Sequence, residues 1–287
     1  MKIVIGHKSP DTDATCSAIV YAELNNAEAR IMGPLNKETE YALKKFGAEP
    51  PKIWKGEGDE FILVDHNESE QSIGDYSKVI EIIDHHKIKI ETEKTIKVHV
   101  EPLGSTCTII AQKHFEKLTK KQAGLILSAI LSDTIVFKSP TTTKTDIEIA
   151  KRLGEKIETN EKEYGLELKK AGMSLEGMSV EQIIKKDYKE YTLQGKKFFI
   201  GQVENADLKE TLNIKKQLLT EMKKMNYDYV LLMLTDIIHE ITELLIIGNE
   251  TKIGKVFGKI VKENSITLPK VLSRKKQVVP QITKQFS

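Results

Sequence analysis

The chain has 287 residues, of which 39% are hydrophobic and 30% charged, with 44 Lys and Arg against 42 Asp and Glu. This composition describes a globular, soluble protein long enough for two domains. A net charge of +2 excludes any general electrostatic case for nucleic acid or membrane binding, and no apolar run approaches the ~18 residues of a transmembrane helix. The N-terminus enters a strand directly, without the basic and long apolar regions of a signal peptide, so a cytoplasmic location is expected. The two cysteines, Cys16 and Cys107, lack CxxC spacing and are expected to be small buried residues.

In chain order, Lys2 to Ile5 predicts a buried strand that Gly6 ends. His7, Asp11 and Asp13 follow in a turn, before a helix from about Asp13 to Asn25. Taken alone, they fit an N-cap, a first-turn acid and a loop histidine. The arrangement recurs, however. Phe61-Ile-Leu-Val-Asp65-His66-Asn67 and Val79-Ile-Glu-Ile-Ile-Asp84-His85-His86 are apolar strands that also end in Asp and His. Three strands thus deliver acid and imidazole to one end, where a parallel sheet gathers its ligands. Between them, Ala29–Met32 predicts a strand, Asn36 caps a helix that stops before Gly47, and Glu68–Ile73 predicts a short helix.

Ile96–Val100 is a further predicted strand, and Gly104-Ser105-Thr106 opens a helix to about Leu118, its start read as a plain N-cap rather than an anion site. Lys120 to Ser132 is a strongly apolar helix that closes on Asp133. A carboxylate there opposes the helix dipole, a cation is the simplest compensation, and Asp133 joins the candidate ligands. Helices are expected near Thr145–Glu158, Glu161–Lys170 and Val180–Lys186. From Asp187 the pattern changes. Tyr188–Leu193 and Phe198–Val203 flank a Gln194-Gly195 hairpin signal, followed by a helix from Ala206 to Met225 and strands Tyr229–Leu234 and Glu243–Ile247. The predicted fold is α/β: an N-terminal parallel-sheet domain (1–176) with helices on both faces, a linker (177–185) and a smaller α+β domain (186–287), with the active site in the cleft between the domains. Ser273-Arg274-Lys275-Lys276 lies in apparent loop. A basic triplet is ordinarily a solvated face, although the Arg fork suits phosphate. On local grounds Lys189 is an unremarkable outward residue of a strand.

The candidate ligands are therefore His7, Asp11, Asp13, Asp65, His85 or His86, and Asp133. They exceed what one tetrahedral zinc takes. Two divalent ions roughly 3.5–4 Å apart, sharing a carboxylate, would use them all. Oxygen-rich donors with some imidazole suit Mn²⁺ or Mg²⁺, with Co²⁺, Fe²⁺ or Zn²⁺ as alternatives, and no thiolate selects a soft metal. Such a site performs in-line displacement at phosphorus by lowering the pKa of a water held between the ions. Arg274 and Lys275 would supply positive charge on the far side of the phosphoryl group as the C-terminal domain closes.

Together His7-Lys-Ser-Pro-Asp-Thr-Asp13, Val64-Asp-His-Asn67, Asp84-His-His86, Ser132-Asp-Thr134 and Ser273-Arg-Lys-Lys276 resemble the manganese-dependent (family II) inorganic pyrophosphatases of the DHH phosphoesterase superfamily. The resemblance implies hydrolysis of pyrophosphate with two Mn²⁺ per subunit, Co²⁺ as a substitute and additional Mg²⁺ arriving with substrate. It implies that His7, Asp11 and Asp65 hold one metal and Asp13, Asp65, His85 and Asp133 the other. His86 would face the substrate as proton donor or phosphate contact, oriented by Asp84, while Lys189, Arg274 and Lys275 bind pyrophosphate. A cytoplasmic homodimer, with no nucleic-acid or membrane partner, is also implied. The alternative is a DHH phosphodiesterase acting on short oligonucleotides or cyclic dinucleotides. Those usually carry a glycine-rich, histidine-containing C-terminal motif. This chain has no Gly-Gly pair, and 6% aromatic residues offer few platforms for stacking bases. A non-enzymatic metal sensor on a degenerate site is the third reading, and the full set of acids and imidazoles argues against it.

Overall fold

The first apolar run forms β1 (Lys2–Ile5), and in the computed structural model, which describes residues 1–237 and 239–286, the N-terminal unit Met1–Gly172 is built around it. α1 (Thr12–Leu24), β2 (Glu28–Ile31), α2 (Lys37–Lys45) and β3 (Lys52–Ile53) lead away on one side of β1. On the other lie β4 (Glu60–Val64), β5 (Val79–Asp84) and β6 (Lys97–Val100). The six strands are parallel, in the order β3-β2-β1-β4-β5-β6. Four helices complete the unit: α3 (Thr106–His114), α4 (Lys120–Asp133), α5 (Lys144–Lys156) and α6 (Glu161–Met173).

Because the chain travels outward from β1 and from β4 in opposite directions, right-handed crossovers fall on opposite faces of the sheet. The two faces are covered unequally. Val4, Ile62, Val64 and Ile83 pack beneath side chains from all six α-helices. Ile3, Ile5, Phe61 and Leu63 on the other face meet Trp54, Ile73 and Tyr76, beside 3₁₀ turns at Ser69–Gln71 and Tyr76–Lys78. The helix expected over Glu68–Ile73 is one of these turns. α4 explains itself: Thr119 and Gln122 form a capping box, and residues 122–131 are buried on every side, as befits a helix apolar all round.

Helix α2 begins at Asn36, whose side chain accepts from the Thr39 N–H at 2.8 Å, and ends before Gly47 at φ +63°. A methyl added at Gly47 would meet nothing within 4 Å. Gly47→Ala should therefore lower stability by backbone strain alone, about 1 kcal/mol, read as a lower denaturation midpoint at unchanged m.

The second unit starts at Met173. α7 (Val180–Ile184) belongs to it, with Ile183 and Ile184 buried among Leu175 and Phe199. β7 (Tyr188–Leu193) and β8 (Lys196–Asn205) form the hairpin, with Gln194 and Gly195 at φ +47° and +72°. The single helix expected over 206–225 is two, α8 (Lys209–Asn213) and α9 (Lys215–Met222), parted at Ile214, whose N–H closes a short turn on the Thr211 carbonyl. β9 (Tyr229–Asp236), β10 (Ile241–Ile247), α10 (Glu250–Phe257) and β11 (Ser265–Pro269) follow. The sheet is mixed, ordered β11-β10-β9-β8-β7, with only the β8–β9 pair parallel. The basic stretch expected as loop is instead a π-helical turn, Arg274–Val278, which runs into α11 (Val279–Gln285). Ser273 caps it by accepting from the Lys276 N–H at 3.2 Å, and Pro280 sits in the first turn of α11.

Candidate metal centre

β1 and β4 are the adjacent strands at which the sheet order reverses, the place where open α/β sheets bind ligands. His7 follows β1 and Asp65 follows β4, while β5 ends in Asp84 and leads to His85 and His86. Asp11 and Asp13 stand at the start of α1, and Asp133 is the last residue of α4. Six of these line one cavity of about 350 Å³: His7, Asp11, Asp65, His85, His86 and Asp133. Asp13 is fully buried beside it.

The donors fall into groups that share Asp65. His7, Asp11 and Asp65 bring one atom each within 4.8 Å of one another, and so do Asp13, Asp65, His85 and Asp133. Asp65 turns Oδ2 toward His7 Nε2 (3.5 Å) and Oδ1 toward His85 Nε2 (3.3 Å). Asp11 divides its oxygens too: Oδ1 caps α1 by accepting from the Ala14 N–H at 2.9 Å, and Oδ2 lies 3.4 Å from His7. One carboxylate thus caps α1 with one oxygen and leaves the other beside His7. Asp65 sits at φ +63°, a left-handed conformation that costs free energy outside glycine. Three left-handed residues in a row, Ile135 to Phe137, follow Asp133.

His85 and His86 separate clearly. His85 is largely buried, with Nδ1 on the Leu103 carbonyl (2.9 Å) and Nε2 3.6 Å from Asp133; that Nε2 is buried with no hydrogen-bond partner. An imidazole tied by one nitrogen to a carbonyl while the other is bare matches the second-nitrogen pattern of metal-binding histidines. His86 is half exposed, with Nδ1 on Asp84 Oδ1 at 2.8 Å. His86 also belongs to a further donor group with Asp65 and His85.

Asp13 is gripped by the start of α3. Oδ1 accepts from Ser105 Oγ (2.9 Å) and the Cys107 N–H (3.0 Å), and Oδ2 from the Thr106 N–H (2.6 Å). The start of α3 therefore does bind an anion, supplied by the chain itself 92 residues earlier in sequence. Ser105 is also the N-cap, accepting from the Cys107 N–H. Neither Ser105 nor Thr106 stands out in the sequence as more than a cap. The same holds for Asn67, which donates to Asp84 Oδ2 (2.5 Å) and accepts from the Lys89 N–H (2.6 Å), pinning the loops after β4 and β5 together. His66 is buried, its two nitrogens on the Val64 carbonyl and Ser72 Oγ, and burial keeps its pKa below the ordinary value.

Charge is poorly balanced by the polypeptide alone. Burial, reinforced by Asp65 and Asp11, pushes Asp13 up to about 7. Burial, with Asp13 and Asp65 beside it, also drives Asp133 well above the carboxylate range. Burial works against charge on His7 and His85, but the carboxylates close to them, Asp11 and Asp65 beside His7 and Asp65 and Asp13 beside His85, outweigh it and hold both at about 10. Asp65, opposed by burial but flanked by both imidazoles, lies below its ordinary value. Four carboxylates thus crowd two imidazoles. Divalent cations fit this donor set: oxygen and nitrogen only, acids in excess, one bare buried nitrogen. The thiols take no part. Cys16 and Cys107 are buried and free, their pKa values raised well above the ordinary value by burial.

In the second unit, Lys189 is exposed on β7 opposite Ile200, and Lys275 is exposed on the π-helical turn. Arg274 is mostly buried, donating through Nη1 to the Asp187 carbonyl and through Nη2 to Asp187 Oδ1, each at 2.8 Å.

Two family models match the chain, the N-terminal domain of the DHH family over residues 2–130 and the DHHA2 domain over residues 166–285. A manganese-dependent inorganic pyrophosphatase from Methanocaldococcus jannaschii is 42% identical, with 100% of both chains covered. Another from Bacillus subtilis is 42% identical over 98% of this chain and 97% of its own. A crystal structure of a family II inorganic pyrophosphatase from Methanococcus jannaschii superposes with a TM-score of 0.62 at 42% identity, covering 100% of this chain and 99% of that one. With both domain models matched in order and relatives alike from end to end, the chain belongs to the manganese-dependent, family II inorganic pyrophosphatases of the DHH superfamily.

Proposed function

We propose that this chain hydrolyses inorganic pyrophosphate to two phosphates at the Asp65 centre, with two Mn²⁺ ions per chain. The observation that carries the reading is the sorting of six donor side chains into two groups around one shared, buried carboxylate. His7, Asp11 and Asp65 would hold one ion, and Asp13, Asp65, His85 and Asp133 the other. Bound divalent ions polarise phosphoryl oxygens and bring the pKa of water toward 7, about the value at a single catalytic zinc.

The chain's own side chains do the rest. Asp84 fixes His86 through Nδ1 and raises its pKa, leaving Nε2 as a proton donor to the phosphate that departs. As water adds to one phosphorus in line, the bridging P–O bond breaks, the departing oxygen takes that proton, and the proton released by the water restores His86. Lys189, Arg274 and Lys275 bind the phosphates and spread their charge. Arg274 is held by Asp187, and Lys275 is exposed on the same turn. Lys275→Ala should lower kcat/KM by roughly ten- to a hundredfold, about 1.4 to 2.8 kcal/mol, in steady-state phosphate release.

The family resemblance further supports additional Mg²⁺ entering with substrate, Co²⁺ as a substitute metal, and a homodimer working in the cytoplasm. Among the described residues no helix is long and apolar enough to cross a membrane. The deciding experiment is a substrate panel at fixed Mn²⁺, with pyrophosphate, tripolyphosphate and a dinucleotide compared. Pyrophosphate is expected to be turned over fastest. Faster cleavage of the dinucleotide would instead establish the phosphodiesterase reading.

A further inference from the structure

Thr106 opens α3 fully buried and makes two bonds to two different carboxylates. Its N–H lies 2.6 Å from Asp13 Oδ2, and its hydroxyl donates to Asp65 Oδ1 at 3.0 Å. The oxygen it reaches on Asp65 is the one turned toward His85, not the Oδ2 turned toward His7. Both bonds therefore serve the group formed by Asp13, Asp65, His85 and Asp133. No hydrogen bond of Thr106 reaches His7 or Asp11 among the described residues.

We propose that Thr106 is a positioning residue for one of the two donor groups only, setting the distance and orientation between Asp13 and the shared Asp65. The inference rests on the two-cation reading above. Its physical basis is rigidity. A β-branched side chain has few χ1 choices, so a Thr whose backbone is fixed at a helix start aims its hydroxyl in one direction. The same helix start holds both oxygens of Asp13 through Ser105, Thr106 and Cys107, so that carboxylate cannot turn. One short segment thereby indexes two ligands that lie 52 residues apart in the chain (13 to 65). Partners of this kind, one bond removed from a metal, typically change affinity by about 10–100-fold when lost.

The test uses the full chain and Mn²⁺ alone, followed by calorimetry. Thr106→Val is nearly isosteric, keeps the backbone N–H and deletes the hydroxyl; Thr106→Ser keeps the hydroxyl, and Thr106→Ala is a second hydroxyl-free variant should Val fold poorly. Wild type is expected to show two binding events. The hydroxyl-free variant should weaken one of them by about tenfold or more and leave the other within about threefold, with Ser restoring the pair. Equal weakening of both events, no weakening of either, or a Ser variant as weak as Val would overturn the proposal. A wild-type chain with a single event would instead refute the two-cation reading, and this inference along with it.

Discussion

Asp65→Asn is expected to lower pyrophosphate turnover by roughly a thousandfold, about 4 kcal/mol of barrier, and to weaken both Mn²⁺ binding events together. Among the described residues no other side chain belongs to both donor groups with one oxygen facing each. The substitution isolates charge from shape. Asp65 occupies a left-handed backbone conformation, and Asn accepts that conformation as readily as Asp does, whereas most other residues would strain it. A kinetic assay paired with Mn²⁺ calorimetry checks the result. Retention of a tenth of the activity, or selective loss of one binding event, would show that the bridging role belongs elsewhere.

Binding of Mn²⁺ near neutral pH should release at least two protons, and affinity should climb steeply with pH. In the metal-free chain His7 and His85 hold their protons up to about pH 10, and Asp13 is half protonated at about 7. Metal and proton compete for the same lone pairs, so acid weakens binding and base strengthens it. With two imidazoles to discharge, the overall binding constant for the pair of ions should rise about a hundredfold per pH unit around pH 7 to 9. The slope should flatten once pH passes about 10, where both rings are neutral without metal. Calorimetry in buffers of different ionisation enthalpy counts the protons directly, and a count below one would contradict the pairing of both rings with Asp65.

How far local pattern carries can be judged residue by residue. Strand ends at Ile5, Val64 and Asp84 were readable because β-branched runs have a short period and stop at polar residues. The position of Asp133 at the end of α4 was readable because the apolar run stops there, and an acid at that end conflicts with the dipole. The choice between His85 and His86 was open from the residues alone, since neighbours in sequence share one local context. Burial distinguishes the two, placing His85 Nε2 bare among carboxylates and His86 against Asp84. The turn carrying Arg274 looked like loop although Ser273 and Pro280 both carried helix-start signals; its five-residue π geometry gives no periodic stripe to find.

By itself, then, the sequence determined which acids and imidazoles stand at strand and helix ends, the parallel N-terminal sheet, the changed pattern after residue 186 and the resemblance to a pyrophosphatase family. Only the tertiary structure decided which oxygen of Asp65 faces which histidine, that Asp13 is locked into the start of α3, and that Thr106 spans two carboxylates. The physical reason is range. Capping, periodicity and dipole effects act within a turn or two of chain, whereas these hydrogen bonds join atoms 41 to 94 residues apart, and folding alone brings them within 3 Å.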